Sequence, residues 1–287
     1  MGSKVYKIPI ACCDTRRRRL REISALADIS SLESFMTFLD QFTPTPLPAP
    51  RNRLLAALPP EDLAQLWLRL EPVQLEFRKV LHAPEEPIAH VYFPETGYVS
   101  RLVSMENGDS TEVGLVGSEG IVGIAVLLGE DCDDFEMLVQ MPGTALRLSA
   151  TAFRQELARI PAFQLLVNRY ALAHFGEVAR TAACNAYHHI DQRLARWLLM
   201  AHDRVEGDEL PMTHEFLSMM LGVRRAGVTV AAGTLQKAGL IRYGQGRIAI
   251  TDRPSLEAAA CECYGATWRA FDRAFGPNVR PEKIHLH

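Results

Sequence analysis

The chain has 287 residues, 48% hydrophobic and 23% charged, which is enough apolar material for two ordinary domains with cores of their own. A net charge of -3 excludes a uniformly basic coat, and even the apolar run at residues 115–129, interrupted by Ser118 and Glu119, falls short of the ~20 residues of a bilayer span. The arginine run from Arg16 to Arg19 has no apolar segment behind it, so no secretory leader is expected and the expected compartment is the cytoplasm.

Residues 1–50 combine that basic run with the proline-rich stretch from Thr43 to Pro50 and read as a disordered extension ending in a linker. From Arg51 the leucines Leu54, Leu55, Leu58, Leu63, Leu66 and Leu70, with Trp67, recur at helical spacing and predict a helical pair. Strand-like runs follow at 73–81, 88–93, 98–103, 110–117, 135–141 and 144–149, the spacing of a small antiparallel barrel or sandwich. Asn107-Gly108 between two of them predicts a tight hairpin in which both residues take positive φ.

After Ser149 the period becomes helical. A helix is expected over 151–160, then a long one over 161–187 in which Leu165, Leu172, Phe175, Ala179 and Ala182 form a heptad seam with Asn168 as a polar seam position. That seam predicts pairing of two chains; the competing reading is a helix packed inside one domain. Another helix follows over 188–205, carrying Ile190, Leu194, Trp197 and Leu198.

The stretch from Leu210 to Asp252 carries the most information. Thr213 is a natural N-cap for a short helix bearing Phe216, Leu217 and Met220 on one face. Leu221-Gly222-Val223 forms a corner in which glycine supplies the left-handed conformation. A second helix, 224–238, buries Val228, Ala231, Ala232 and Leu235, and Gly239 ends it. Strands at 240–243 and 247–251, joined by Gly244-Gln245-Gly246, complete a winged helix-turn-helix, whose second helix can enter the DNA major groove. Residues 224–253 hold the cations Arg224, Arg225, Lys237, Arg242, Arg247 and Arg253 against Asp252 alone, a concentration of charge suited to phosphate.

Thr213, Glu215, Leu217, Leu221, Gly222, Val223, Arg225, Val228, Leu235, Gly239, Leu240 and Ile241 stand in register with a pattern that resembles the DNA-binding domain of the Crp/Fnr family. The resemblance extends over roughly residues 51–253. It implies an α+β fold: an N-terminal antiparallel β-roll of the double-stranded β-helix or jelly-roll type at 51–160, a dimerisation helix at 161–187 and a winged helix-turn-helix at 188–253; the C-terminal helix and tail expected at 254–287 lie outside the resemblance, as does the extension at 1–50. It also implies a homodimeric transcription regulator of double-stranded promoter DNA, with RNA polymerase as a candidate partner and a small-molecule effector of unknown identity.

Arg225 stands where relatives commonly read guanine, a role a guanidinium fork suits. The acidic reader that follows is Ala226 here, and the second arginine is Val230. Arg224 and Thr229 remain candidates for phosphate or base edges, Lys237 belongs to the same basic surface, and Arg242 and Arg247 are expected phosphate clamps. With two reader positions apolar, the alternative is a ligand- or redox-sensing module that has lost DNA binding.

In nucleotide-binding relatives the β-roll holds a cyclic phosphate. Here Ile124 stands at the ribose-binding glutamate and Asp133-Asp134 near the phosphate-binding Arg-Ser, which inverts the electrostatics, so control by cyclic AMP is not expected. The cysteines, Cys12, Cys13, Cys132, Cys184, Cys261 and Cys263, include no Cys-x2-Cys pair, and no metal or cofactor is expected. Cys261 and Cys263, placed on one helix from Ser255 to Phe275, would point ~200° apart. His82, His90, His174, His188 and His189 could include haem or metal ligands, but a solvated or core histidine is the commoner reading for each. No catalytic constellation is found and no enzyme is expected.

Overall fold

The computed structural model describes residues 49–276; the extension expected at 1–50 lies outside them except for its last two residues, and so do Cys12, Cys13 and the Arg16–Arg19 run. Asn52 anchors the start. Its Oδ1 caps α1 (Arg53–Ala56) by accepting from the Leu55 N–H at 3.1 Å, while its amide donates to the carbonyls of Pro94 and Gly120 at 3.0 and 2.9 Å. Then come α2 (Pro60–Trp67), opened by proline, and seven strands: β1 (Glu71–Leu75), β2 (Val80–His82), β3 (His90–Pro94), β4 (Tyr98–Ser104), β5 (Ser110–Val116), β6 (Glu136–Met141) and β7 (Gly143–Ser149).

These strands form two antiparallel sheets, one ordered β1-β7-β3 and one ordered β2-β6-β4-β5. The single strand expected at 73–81 is two strands, because Arg78 takes φ 62 and turns the chain out of the first sheet, where β1 pairs β7, into the second, where β2 pairs β6. The β4–β5 hairpin also departs from expectation. Only Gly108 is left-handed, with φ 86, and its N–H donates to the Met105 carbonyl at 2.9 Å; Asn107 instead accepts from the Asp109 N–H. The loop is thus a turn followed by a left-handed glycine, not a two-residue primed turn.

Leu75, Val99, Val116, Val122, Met137, Val139 and Ala145 fill one core of the roll. A second core runs from it into the helices. Phe153 of α3 (Ala150–Arg159) meets Phe163 edge-on, 5.6 Å between centroids, with Phe93 of β3 against both; truncation of any one to alanine should cost ~3 to 5 kcal/mol.

Pro161 opens α4 (Pro161–Tyr187), the long helix at the bounds expected for it. One face buries Phe163, Leu166, Val167, Tyr170, Ala173, His174, Glu177 and Cys184. The seam residues lie on the other face: Leu165, Asn168, Leu172, Phe175, Ala179 and Ala182 are all exposed, Leu172 at 73% and Phe175 at 71%. This helix therefore packs inside the domain and still presents a free apolar stripe.

The C-terminal half consists of α5 (Ile190–His202), β8 (Glu209–Pro211), α6 (His214–Leu221), α7 (Arg225–Lys237), β9 (Ile241–Gly244), β10 (Arg247–Ile250), α8 (Arg253–Ala259) and α9 (Cys263–Phe275). β8 had no counterpart in the expectations; it pairs with β10 and makes the wing sheet three-stranded, β8-β10-β9. The helix expected from Ser255 to Phe275 is two helices. Ala260 takes an extended conformation that ends α8, and Cys261 lies in the break before α9. Because Cys261 is not helical, the two thiols do not diverge as expected: with Cys184 and His188 they converge on one point, all four ligand atoms within 4.8 Å of one another. α9 packs along α4, where Tyr170 meets Phe271 and Phe275.

Candidate nucleic-acid interface

The interface is built on α6 and α7. Thr213 Oγ1 accepts from the Phe216 N–H at 3.2 Å and starts α6; Gly222 takes φ 60 at its end. Arg224, extended, sits just before α7, and Val228, Ala231, Ala232 and Leu235 face inward. The outward face brings together Arg225, Ala226, Thr229, Val230 and Lys237, all exposed, with Val230 at 71%.

Arg225 is held only lightly, its Nε 3.8 Å from Glu215 Oε2 with both side chains in solvent. Such a pair stabilises little and leaves the guanidinium able to leave it for a base or phosphate. Thr229 is more constrained, because its hydroxyl donates to the Arg225 carbonyl and sits 3.1 Å from His214 Nδ1. His214 also stacks on Tyr243 of the wing at 4.1 Å, and Gln236 accepts from the Tyr243 N–H at 2.8 Å. These contacts lock the wing to the outward helix. Sequence reasoning missed His214 and Tyr243, 29 positions apart, since no periodic signal links a helix start to a strand end.

The wing turns through Gln245 at φ 52 and Gly246 at φ 73, the two successive positive φ values of a primed two-residue hairpin. Arg242 and Arg247 are exposed on its strands; Arg247 lies 3.6 Å from Glu209 of β8. Arg253, counted above with the basic surface, does not belong to it. It turns inward to ion-pair with Asp203 and donates to the Tyr264 hydroxyl at 2.8 Å. Asp203, nearly fully buried, also accepts from Tyr264 and Trp268 of α9 at 2.8 and 2.9 Å, so an unpaired carboxylate is avoided at the cost of one surface cation.

In the β-roll, Glu119 and Asp133 each have partners within the chain. Glu119 Oε1 accepts from Arg204 Nε and Nη2 at 3.0 and 2.7 Å, both side chains buried, and Arg204 lies over the Trp268 ring. Asp133 accepts from His82 Nε2 and the Phe135 N–H, each at 3.1 Å; although burial works the other way, these bonds hold its carboxyl below the ordinary value. Ile124 opens a single-turn helix, Ile124–Leu128.

Residues 72–160 match the family model described as cyclic nucleotide-binding domain, and residues 192–259 match the Crp-like helix-turn-helix domain. No curated protein matches. Among solved structures, the chain is similar to FixK2 from Bradyrhizobium japonicum, at 14% identity over 67% of this chain and 98% of that one, TM-score 0.58. It is similar to a putative Crp/Fnr-family transcriptional regulator from Eubacterium rectale, at 17% identity over 72% and 96%, TM-score 0.57. It also resembles the c-di-GMP-responsive global regulator CLP of Xanthomonas campestris, at 16% identity over 66% and 98%, TM-score 0.52. No helix among the described residues is long and apolar enough to cross a membrane.

Proposed function

The chain belongs to the Crp/Fnr family of DNA-binding transcription regulators, and on that premise we propose that it binds a two-fold-symmetric DNA site as a homodimer, with α7 in the major groove and no control by cyclic AMP. The observation that carries this reading is the outward face of α7, where Arg225 stands exposed and loosely paired beside Ala226 and Val230. Arg225 reads a guanine, and Val230 meets a thymine methyl. Arg224, Lys237, Arg242 and Arg247 hold phosphates, while Thr213 and Thr229 fix the approach of the two helices.

The free stripe on α4 from Leu165 to Ala182 supports pairing through a parallel helix seam, with Asn168 setting register. In this division residues 51–160 sense, 161–187 pair and 188–253 bind DNA, and Arg253, α8 and α9 brace the last of these. Cyclic AMP is disfavoured because Glu119 is ion-paired with Arg204, Asp133 is hydrogen-bonded to His82, and Ile124 offers the ribose no acceptor. Selection from a random DNA pool tests the whole reading. Enrichment of paired half-sites about 10 base pairs apart, each with one fixed guanine, is the expected result; a pool that enriches no motif overturns it.

A further inference from the structure

Four side chains from distant parts of the chain meet at the C-terminal end of α4. Cys184 lies in its last turn and His188 caps it, while Cys261 and Cys263 come from the α8–α9 break and the first position of α9. The three cysteines form a buried cluster separate from the apolar cores, exposed by 0%, 5% and 1%. Cys184 Sγ is 3.5 Å from Cys261 Sγ, and Cys263 Sγ is 3.8 Å from His188 Nδ1. Four donors around one zinc, at about 2.3 Å for sulfur and 2.0 to 2.1 Å for nitrogen, stand roughly 3.5 to 3.8 Å apart.

Two further features point to a metal. The other nitrogen of His188, Nε2, is 3.2 Å from Glu262 Oε2, the outer carboxylate that commonly orients a ligating histidine and fixes its tautomer. Three thiolates and a neutral imidazole around a dication leave one net negative charge, and Arg193 and Arg196 lie within electrostatic reach of Cys184, the Nε of each buried without a hydrogen-bond partner.

We propose that Cys184, His188, Cys261 and Cys263 bind a single zinc ion that staples α9 to the junction between α4 and α5. Binding releases the three thiol protons to solvent and involves no electron transfer. A disulfide between Cys184 and Cys261 would use two of the four groups and leave Cys263, His188 and Glu262 without a role. A cubane iron-sulfur cluster gives each thiolate its own iron, which spreads the sulfurs beyond the edge of one tetrahedron. The ion would fix the start of α9, adding to the hold of Tyr264 and Trp268 on Asp203 over its first two turns.

The test uses the full chain purified under reducing conditions without chelator. Metals are quantified by plasma mass spectrometry, and zinc release is followed during titration with a mercurial thiol reagent. The expected result is about one zinc per chain, unchanged in Cys132→Ser and reduced at least about tenfold in Cys263→Ser. In case Cys263→Ser does not fold, wild-type chain stripped of metal and reloaded with Co2+ should show the intense visible absorption of tetrahedral thiolate coordination. The proposal is overturned by wild-type protein that takes up neither zinc nor cobalt stoichiometrically, by full zinc retention in Cys263→Ser, by iron with acid-labile sulfide, or by a Cys184–Cys261 disulfide in the reduced preparation.

Discussion

Glu119, in the loop after β5, and Arg204, just beyond α5, form a buried ion pair across 85 positions of sequence, with two guanidinium nitrogens on one carboxylate oxygen. The same oxygen accepts from the Gly117 N–H at 2.9 Å, and Arg204 also donates to the Met200 carbonyl at 2.8 Å. The pair ties the β-roll to the end of the helix that leads into the DNA-binding half.

Removing one partner strands the other as an uncompensated charge. Arg204→Met should therefore destabilise the chain by ~3 to 5 kcal/mol, and Glu119→Gln with Arg204→Met together by clearly less than the sum of the single changes. Urea unfolding of the four proteins in a double-mutant cycle measures this; additive losses would show that the pair does not act as a unit.

Glu112 sits buried on β5, with Trp197 Nε1 donating to it at 2.5 Å and Ser100 Oγ 2.6 Å away. Burial raises its carboxyl from 4.5 to about 8, against the hydrogen bonds that favour the anion. The folded form thus keeps a proton that the unfolded form loses above its ordinary value. Stability from this group is full below pH ~4.5 and falls as pH rises toward ~8, at up to ~1.4 kcal/mol per unit. Glu112→Gln keeps the acceptor for Trp197 and should flatten the decline, measured by denaturant unfolding at pH 5.5, 7 and 8.5. An identical pH profile in both proteins would place the ionisation elsewhere.

Phe175 is the largest side chain of the exposed stripe on α4, and its other contacts within the chain are few enough to leave it 71% exposed. Phe175→Asp places two carboxylates face to face in a paired seam while leaving the domain core untouched. The variant should sediment as a monomer with unchanged thermal stability at low concentration. A dimer that survives it would locate the pairing surface away from α4.

Arg225 and Arg247 should differ in kind when removed. Arg225→Ala loses a bidentate guanine contact, ~1 to 3 kcal/mol of discrimination, and should relax the selected motif at one position. Arg247→Ala should weaken all sequences alike and reduce the salt dependence by about one charge. Selection and salt titration on both variants decide it: an unchanged motif in Arg225→Ala with a changed one in Arg247→Ala would reverse the two roles.

Calorimetric titration with cyclic AMP should give no micromolar binding, because Ile124 offers a ribose no acceptor, Glu119 is already ion-paired with Arg204, and Asp133 would meet a phosphate with like charge. A micromolar dissociation constant would mean that Arg204 or His82 releases its partner to the ligand.

Sequence alone determined the features whose signals are local. The period of residues 161–187, Thr213 as a cap, Gly222 at the corner and the apolar spacing of Val228, Ala231, Ala232 and Leu235 each depend on neighbours a few positions away, and each is where it was expected. Tertiary structure alone decided which polar groups find one another. Arg253 reads as a surface cation until Asp203, 50 positions earlier, is seen buried beside it. Cys184 and Cys261 are 77 positions apart and meet because α9 folds back along α4 and because the helix breaks at Ala260. Periodicity reports which face of an element is buried, but a buried charge or thiol chooses its partner through the packing of whole helices, and that choice leaves no spacing in the chain to read.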